Sequence, residues 1–304
     1  MYIKDFVQLK EYAGKYKKKV VVAAAHDMHT LEAVLSAHEE GILDYHLIGK
    51  QEEIKQIGER LGYKIEKEKI SECSDDKEAA RLSVNMIKKN EADFIQKGLL
   101  QTSDLLKAVV NKEDGIGNGT PISHVALLEI PKYHKVVGVT DGGMILYPDL
   151  ETKAAIIKNA VNMFERFGYQ NTMVAAVCPV ETVNPKMQET IDAQKLKEMS
   201  VRGELGNCYV EGPISFDLAV NKESAQIKRY ESAVTGETDI FLVPNISVGN
   251  IMVKSLLEFA EAQMAGCVVG AKCPIALNSR SASFEEKYYS LMLCAYLAGM
   301  EAVR

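Results

Sequence analysis

The stretch Lys19 to Ala25, KVVVAAA, is followed almost at once by Met28 to Glu40, MHTLEAVLSAHEE, and that pairing of segment types repeats along the chain. The first segment is a short, continuous apolar run rich in β-branched and small residues, the pattern of a strand buried on both faces. The second places Leu31, Val34 and Leu35 at helical spacing and stops at Gly41. Leu43 to Ile48 then resumes as a strand. Strands covered on both faces need helices above and below them, so this alternation dictates an α/β fold built on mainly parallel sheets.

The same reading predicts further strands near residues 93–96, 124–130, 135–139, 173–178, 207–211, 239–243 and 267–277, with helices in most intervals. That is more than one doubly wound sheet usually carries, so two doubly wound α/β domains are expected. The expected boundaries give one discontinuous domain of residues 1–119 plus 266–304 and a second of residues 120–265. Lys112 to Pro121, KEDGIGNGTP, is the first crossing, because its glycines and proline suit neither a helix nor a central strand. The second crossing lies near Gly266. There is no internal repeat and no low-complexity tract.

Several function classes fall away on composition. With 304 residues, 47% hydrophobic and 26% charged, the chain can bury a sizeable core. The six cysteines are scattered without a CxxC pair and mostly sit in apolar surroundings, so buried thiols are expected rather than disulfides or metal ligands. The net charge of -6 comes from interspersed acids and bases, with no basic tract for nucleic acid. The first residues meet charge at once, and no uncharged run reaches the roughly 18 residues of a spanning helix. A cytoplasmic protein without membrane attachment is expected.

In open α/β sheets ligands sit beyond the carboxyl ends of strands, so the polar residues ending each apolar run are the candidates. Lys97 and Gly98 end one strand, and Thr102 and Lys107 follow on a helix whose start would attract an anion; a capped surface helix is the plainer alternative. Ser123 and His124 open a strand and suit a substrate-facing role better than a hydrolase triad. Gly212, Pro213 and Asp217 form a strand, turn and helix start, where a glycine can admit a ligand close to the backbone or simply make the turn. Asn245, Gly249, Asn250 and Lys254 combine amide groups, a missing side chain and a cation, which suits a polyanionic ligand with an amide-rich arm. Ser279 and Arg280 precede a helix, where a guanidinium fork suits phosphate. Glu286 can reach back as an acid or base, or Ser283 can cap the helix while Glu285 and Glu286 favour its dipole. Gly115 to Gly119 imitates a dinucleotide loop but opens no helix, and His26 with His29 lacks a third metal ligand. No metal site is expected.

The ordered segments KVVVAAAHD, ADFIQKGLLQTSDLLKAVVNKE, SHVALLE, VNPKM, VEGPISFDLA, DIFLVPNISVGNIMVK and PIALNSRSAS together resemble the phosphate acetyl/butyryltransferase family, in its butyryltransferase branch, over nearly the whole chain. The resemblance implies an active-site cleft between the two domains. It implies the reaction of butyryl-CoA with inorganic phosphate to give butanoyl phosphate and CoA, with a butyrate kinase consuming the acyl phosphate. It implies no permanently bound cofactor, with the coenzyme A thioester as substrate, and a homodimer or higher homo-oligomer. By position, Ser279 and Arg280 look like the family's catalytic pair and Lys107 stands where acetyltransferase members have an arginine. Glu286 stands in place of an aspartate proposed to manage the thiol proton. The chain departs from the branch at Ala282, which replaces an aspartate, and at Glu211, which replaces an aspartate before Gly-Pro.

The chemistry fits the residues. Phosphate is a weak dianionic nucleophile that cations position, and attack on a thioester builds an oxyanion that a guanidinium stabilises. No cysteine or serine has an adjacent identifiable base, so direct attack in a ternary complex is expected. Phosphate acetyltransferase and branched-chain phosphotransacylase are the neighbouring alternatives, and a non-catalytic CoA-binding protein is the alternative from another class. A metal-dependent dehydrogenase would need an aspartate cluster and a cofactor loop that the sequence lacks.

Overall fold

The structure, a computed structural model, describes residues 2–301. In chain order the elements are α1 (Phe6–Ala13), β1 (Lys19–Ala23), α2 (Met28–Glu39), β2 (Asp44–Gly49), α3 (Gln51–Arg60), β3 (Ile70–Glu72), α4 (Asp76–Lys88), β4 (Phe94–Lys97) and α5 (Thr102–Val109). Then come β5 (Ser123–Glu129), β6 (Val137–Thr140), α6 (Leu150–Arg166), β7 (Thr172–Val177), α7 (Gln188–Val201), β8 (Cys208–Ile214), α8 (Phe216–Val220), α9 (Lys222–Lys228), β9 (Ile240–Leu242) and α10 (Ile246–Phe259). The chain closes with β10 (Gln263–Val269), β11 (Ile275–Ala276) and α11 (Phe284–Glu301).

Two compact units emerge. An outer unit holds Phe6–Thr120 and the C-terminal segment from Gln263, and a middle unit holds Pro121–Ala262. Residues 2–5, assigned from the sequence to the outer unit, cluster with the middle one. The reason is backbone pairing: Ile3 N–H donates to Phe167 O at 3.2 Å and Val136 N–H donates to Lys4 O at 2.9 Å.

In the outer unit the strand order is β3-β2-β1-β4-β11-β10, parallel except for β10 against β11. The order runs outward from β1 in both directions, which puts the topological switch between β1 and β4. The carboxyl ends there are Ala23-Ala24 and Lys97-Gly98, paired in register as Ala23 with Lys97. Val20, Val21, Val22, Phe94 and Ile95 are fully buried, as their unbroken apolar run requires. The strand expected over 267–277 is two strands, because the chain turns back through Gly270 at φ 90°. The short edge strand β3 went unpredicted, since ISE is too brief to show a period. Helix α11 is buried nearly all round, from Leu291 to Ala298, and packs on α1, α2 and β10.

In the middle unit the order is β5-β6-β9-β7-β8, parallel except for β5 against β6. Phe164, Phe167, Val174, Ile240 and Phe241 fill its core. Here β6 and β9 run side by side, Thr140 opposite Leu242, so the segments after them emerge together.

Candidate active site

At the outer unit's switch point, Gly98 is compelled by packing. A Cβ there would stand 2.2 Å from Ala24 O, while Gly98 and Leu99 N–H donate to Ala23 and Ala24 O at 2.8 and 2.9 Å. This tight crossing sets Lys97 at the mouth of the switch, 5% exposed. Its ammonium donates to Gly98 O at 3.1 Å and makes no ion pair among the described residues. Burial, then the charges of Lys287 and Arg280, lower its pKa to about 8, against the opposing pull of Asp27 and Asp76.

Across from β4, Asp27 caps α2 and accepts from Thr30 N–H at 3.0 Å, from Thr30 Oγ1 and from Lys287 Nζ. Lys287 also donates to Thr30 Oγ1 at 3.0 Å. Burial acts to raise the Asp27 carboxyl, yet the hydrogen bonds from Lys287 and Thr30 hold it below the usual carboxylate range. Neither Asp27 nor Lys287 was singled out from the sequence. A signal existed for Lys287, because a lysine in the first turn of a helix opposes the helix dipole and calls for a carboxylate partner.

Ser279 and Arg280 form the exposed turn before α11. Ser279 Oγ and Ser281 Oγ lie 3.0 Å apart, and Arg280 makes no ion pair among the described residues. Glu286 is occupied at the helix start: its carboxylate accepts from Ser283 N–H at 3.4 Å while Ser283 Oγ accepts from Glu286 N–H at 3.2 Å. This is a reciprocal cap, as the helix-cap reading of Glu286 describes. Thr102 opens α5, which has no side-chain cap, and Lys107 stands exposed on that helix without an ion pair among the described residues.

The middle unit gathers a different corner. Asp141 Oδ1 accepts from Gly143 and Met144 N–H, each at 2.8 Å, and Asp141 Oδ2 accepts from His124 N–H at 3.0 Å. Gly142 and Gly249 meet so closely that a Cβ on Gly249 would stand 2.7 Å from Gly142 Cα. Asn250 Nδ2 donates to Gly142 O at 3.3 Å, and Asn245 Oδ1 caps α10 by accepting from Val248 N–H at 3.2 Å. Asn245 caps the helix that carries Gly249 and Asn250, while His124, Gly249 and Asn250 are joined through Asp141-Gly142-Gly143, a segment that sequence reasoning passed over. The rule that points to strand ends applies to it directly, since the glycine pair follows the apolar run VVGVT. Lys254 lies further along α10, exposed and without an ion pair among the described residues.

Four of the candidate ligand contacts are engaged within the protein. Ser123 is fully buried and its Oγ accepts from Asn159 Nδ2 at 3.1 Å. Gly212 is buried where a Cβ would stand 2.8 Å from Ala176 Cβ and 3.0 Å from Ala193 Cβ, so its small size serves sheet-to-helix packing. Pro213 is buried beside it. Asp217 pairs at 3.1 Å with Lys228, which also pairs with Glu181 at 2.6 Å, in an exposed cluster. Glu211 is likewise engaged, by Lys197 at 2.7 Å. Among the described residues no three His, Cys, Asp or Glu side chains gather as a metal-ligand set.

In the outer unit the charges of Lys287 and Arg280 act on Lys97, with Asp27 and Asp76 opposing them, and Lys287 is paired with Asp27. A cluster with this excess of cations is suited to an anion.

Comparison with known proteins agrees with that chemistry. The profile of the family described as "Phosphate acetyl/butaryl transferase" matches residues 5–82 and 64–295. The phosphate butyryltransferase of Clostridium acetobutylicum is 39% identical over 98% of this chain and 99% of its own length. The phosphate acetyltransferase of Thermotoga maritima is 37% identical over 98% of this chain and 100% of its own. The crystal structure of a branched-chain phosphotransacylase from Enterococcus faecalis V583 superposes with a TM-score of 0.80 at 30% identity, covering 92% of this chain and 99% of that one. The chain is an acyltransferase and belongs to the phosphate acetyl/butaryl transferase family.

Proposed function

We propose that the chain is a phosphate butyryltransferase, moving a butyryl group reversibly between CoA and inorganic phosphate. The observation that carries this reading is the group of cations at the switch point: Lys97 is buried without a carboxylate partner among the described residues, and the charges of Arg280 and of the Asp27-paired Lys287 act on it. Phosphate is a ligand that this excess of cations suits. Lys97 and Arg280 hold it as a nucleophile, with Lys107 as an outer phosphate contact, and Arg280 then stabilises the oxyanion formed on the thioester carbonyl. Ser279 orients the same group by hydrogen bonding. The corner built from His124, Gly142, Gly249 and Asn250, with Lys254 along the helix, receives the amide-rich arm and phosphates of CoA.

Attack is direct. Burial pushes the Cys178 thiol up to about 12 and the Cys208 thiol up to about 11, and burial likewise raises Cys294, so these cysteines are poor nucleophiles for an acyl-enzyme. The departing thiolate needs little acid assistance, which leaves Glu286 to its helix cap.

Self-association accompanies the activity in this reading. It is supported by the face of α10, where Val248, Ile251 and Phe259 are 40%, 67% and 90% exposed, near Leu146 at 60% and Tyr147 at 79%. The acyl phosphate passes to a butyrate kinase in the cytoplasm.

The test is phosphate-dependent release of free thiol across a panel from acetyl-CoA through butyryl-CoA to a branched five-carbon acyl-CoA. Highest turnover is expected with butyryl-CoA. Highest turnover with acetyl-CoA or the branched substrate would reassign the acyl preference, and no phosphate-dependent thiol from any substrate would sink the reading.

A further inference from the structure

The middle unit holds a cavity of about 750 Å³ that no step of the acyl transfer uses. Its walls come from the β5–β6 connection, the segment from α8 into α9, the turn before β9 and the last turn of α10. Ile130, Val137, Phe216, Val220, Phe241 and Leu256 make it apolar, and Phe216, 40% exposed, leans on the buried Phe241 with 5.3 Å between ring centroids. The cavity sits at the amino ends of the parallel strands, since Val137 opens β6 and Glu237 precedes β9. Asp141 and Asn245 follow the opposite ends of those strands, and Leu256 stands roughly 10 Å along α10 from Gly249, at about 1.5 Å per residue.

The rim is basic and held in place. Gly236, at φ 71°, leaves room for the stem of Lys222, because a Cβ there would stand 2.6 Å from Lys222 Cγ. Lys222 Nζ donates to Glu237 Oε1 at 2.5 Å, and His134 Nε2 lies 3.2 Å from Glu237 Oε2. Tyr133 Oη donates to Thr238 O at 2.8 Å, which ties the connection carrying Lys132 and His134 to the segment entering β9. Glu237, the one carboxylate on the lining, is thereby committed, while Lys132 is exposed and makes no ion pair among the described residues. An apolar cavity with an uncommitted ammonium at its edge is complementary to an apolar chain that ends in an anion. The volume lies inside the roughly 300–1,000 Å³ range that holds drug-sized ligands, so a four-carbon acid would leave most of it empty. The geometry points to a second ligand site, for a fatty monocarboxylate longer than the butyryl group, with its tail along Phe216, Phe241 and Leu256 and its carboxylate on Lys132. Binding there is independent of the acyl-transfer reading, because none of these residues belongs to the cation cluster or to the corner at Gly142 and Gly249.

The test is isothermal titration calorimetry on the full chain with hexanoate, octanoate and decanoate, each below its micelle concentration. One saturable site is expected, tightening by up to about fourfold per added methylene until the cavity is full. Decanol should bind about fivefold more weakly than decanoate, the scale of one exposed ion pair, and decyltrimethylammonium more weakly still. Lys132→Glu should weaken decanoate by about tenfold, through a lost attraction and an added repulsion, and leave decanol unchanged. Ala260→Trp, which fills the cavity from the end of α10, should weaken both ligands. Lys132 is exposed and Ala260 partly so, and thermal midpoints of both variants should stay near that of the parent chain. Saturating CoA should leave decanoate binding unchanged. Equal binding of acid, alcohol and ammonium overturns the proposal, as does an Ala260→Trp chain that binds decanoate like the parent. Displacement of decanoate by CoA overturns it by making the cavity part of the substrate site. Absence of saturable binding, as when a second copy of the chain covers the opening, overturns it too. Absence of phosphate-dependent thiol release from the parent chain is a separate result that overturns the acyl-transfer reading instead.

Discussion

The two units place polar residues beyond the carboxyl ends of parallel strands, but they do so with opposite means. The outer unit works with charge: Lys97, Arg280 and Lys287 stand against Asp27, and one glycine, Gly98, lets the backbone cross tightly beneath them. The middle unit works with backbone and shape: Gly142 against Gly249, with Asp141 gathering the N–H groups of His124, Gly143 and Met144. A charged pocket is sensitive to removal of a single side chain, whereas a backbone corner is sensitive to addition of one.

That contrast is open to test, and the largest effect belongs to Arg280. Arg280→Ala should lower kcat about a hundred- to thousandfold, the scale for losing a transition-state donor. Its thermal midpoint should barely move, because Arg280 is exposed and makes no ion pair among the described residues. A matching loss of stability would mean that the arginine is structural.

Gly249→Val should do the reverse. Its Cβ would stand 2.7 Å from Gly142 Cα and 2.8 Å from Val243 Cγ2, so urea unfolding should show a loss of about 2–3 kcal/mol from overpacking, together with a raised KM for acyl-CoA. Unchanged stability would show that the corner yields easily and is not set by shape.

Asp27→Asn comes next, at about 1–2 kcal/mol near neutral pH, because it leaves the Lys287 ammonium, 5% exposed, without a carboxylate. The Asp27 carboxyl is depressed in the folded state, so its contribution is present above the unfolded carboxyl pKa of about 3.9 and is lost as pH falls through the lower folded value. Unfolding curves of the two proteins should therefore converge in acid and separate above about pH 5. A gap independent of pH would assign the effect to packing.

Asp217→Ala should change least, below about 0.5 kcal/mol and with no change in KM for acyl-CoA, since its partner Lys228 lies in an exposed cluster. A several-fold rise in KM would return Asp217 to the CoA site.

The sequence disclosed the α/β plan because strands covered on both faces leave unbroken apolar runs such as KVVVAAA and DIFLV. It singled out Arg280 and Lys97 as candidates because each stands where such a run or its turn ends. It did not disclose the Asp27–Lys287 pair, which joins residues 260 positions apart and exists only once β1 and α11 are packed. At Gly212 the packing was hidden as well: a glycine at a strand end reads as ligand access or a turn, and the closeness of Ala176 and Ala193 shows only in the fold. Glu286 illustrates a local ambiguity, since Ser-x-x-Glu at a helix start is equally a cap and a candidate acid, and only the fold shows the carboxylate on Ser283 N–H.

The two-residue strand β11 pairs Ile275 with Ile95 and Ala276 with Gln96, closing the flank of β4. During synthesis that flank has no partner strand from the time β4 leaves the ribosome until β11 follows. At typical elongation rates, some 180 residues correspond to roughly 10 to 40 seconds. The contiguous span Pro121–Ala262 is complete before then, so the nascent chain finishes its middle unit while the edge beside Lys97 still waits. An unpaired edge invites other strands. The interval before β11 arrives is therefore when this chain is most exposed to mispairing.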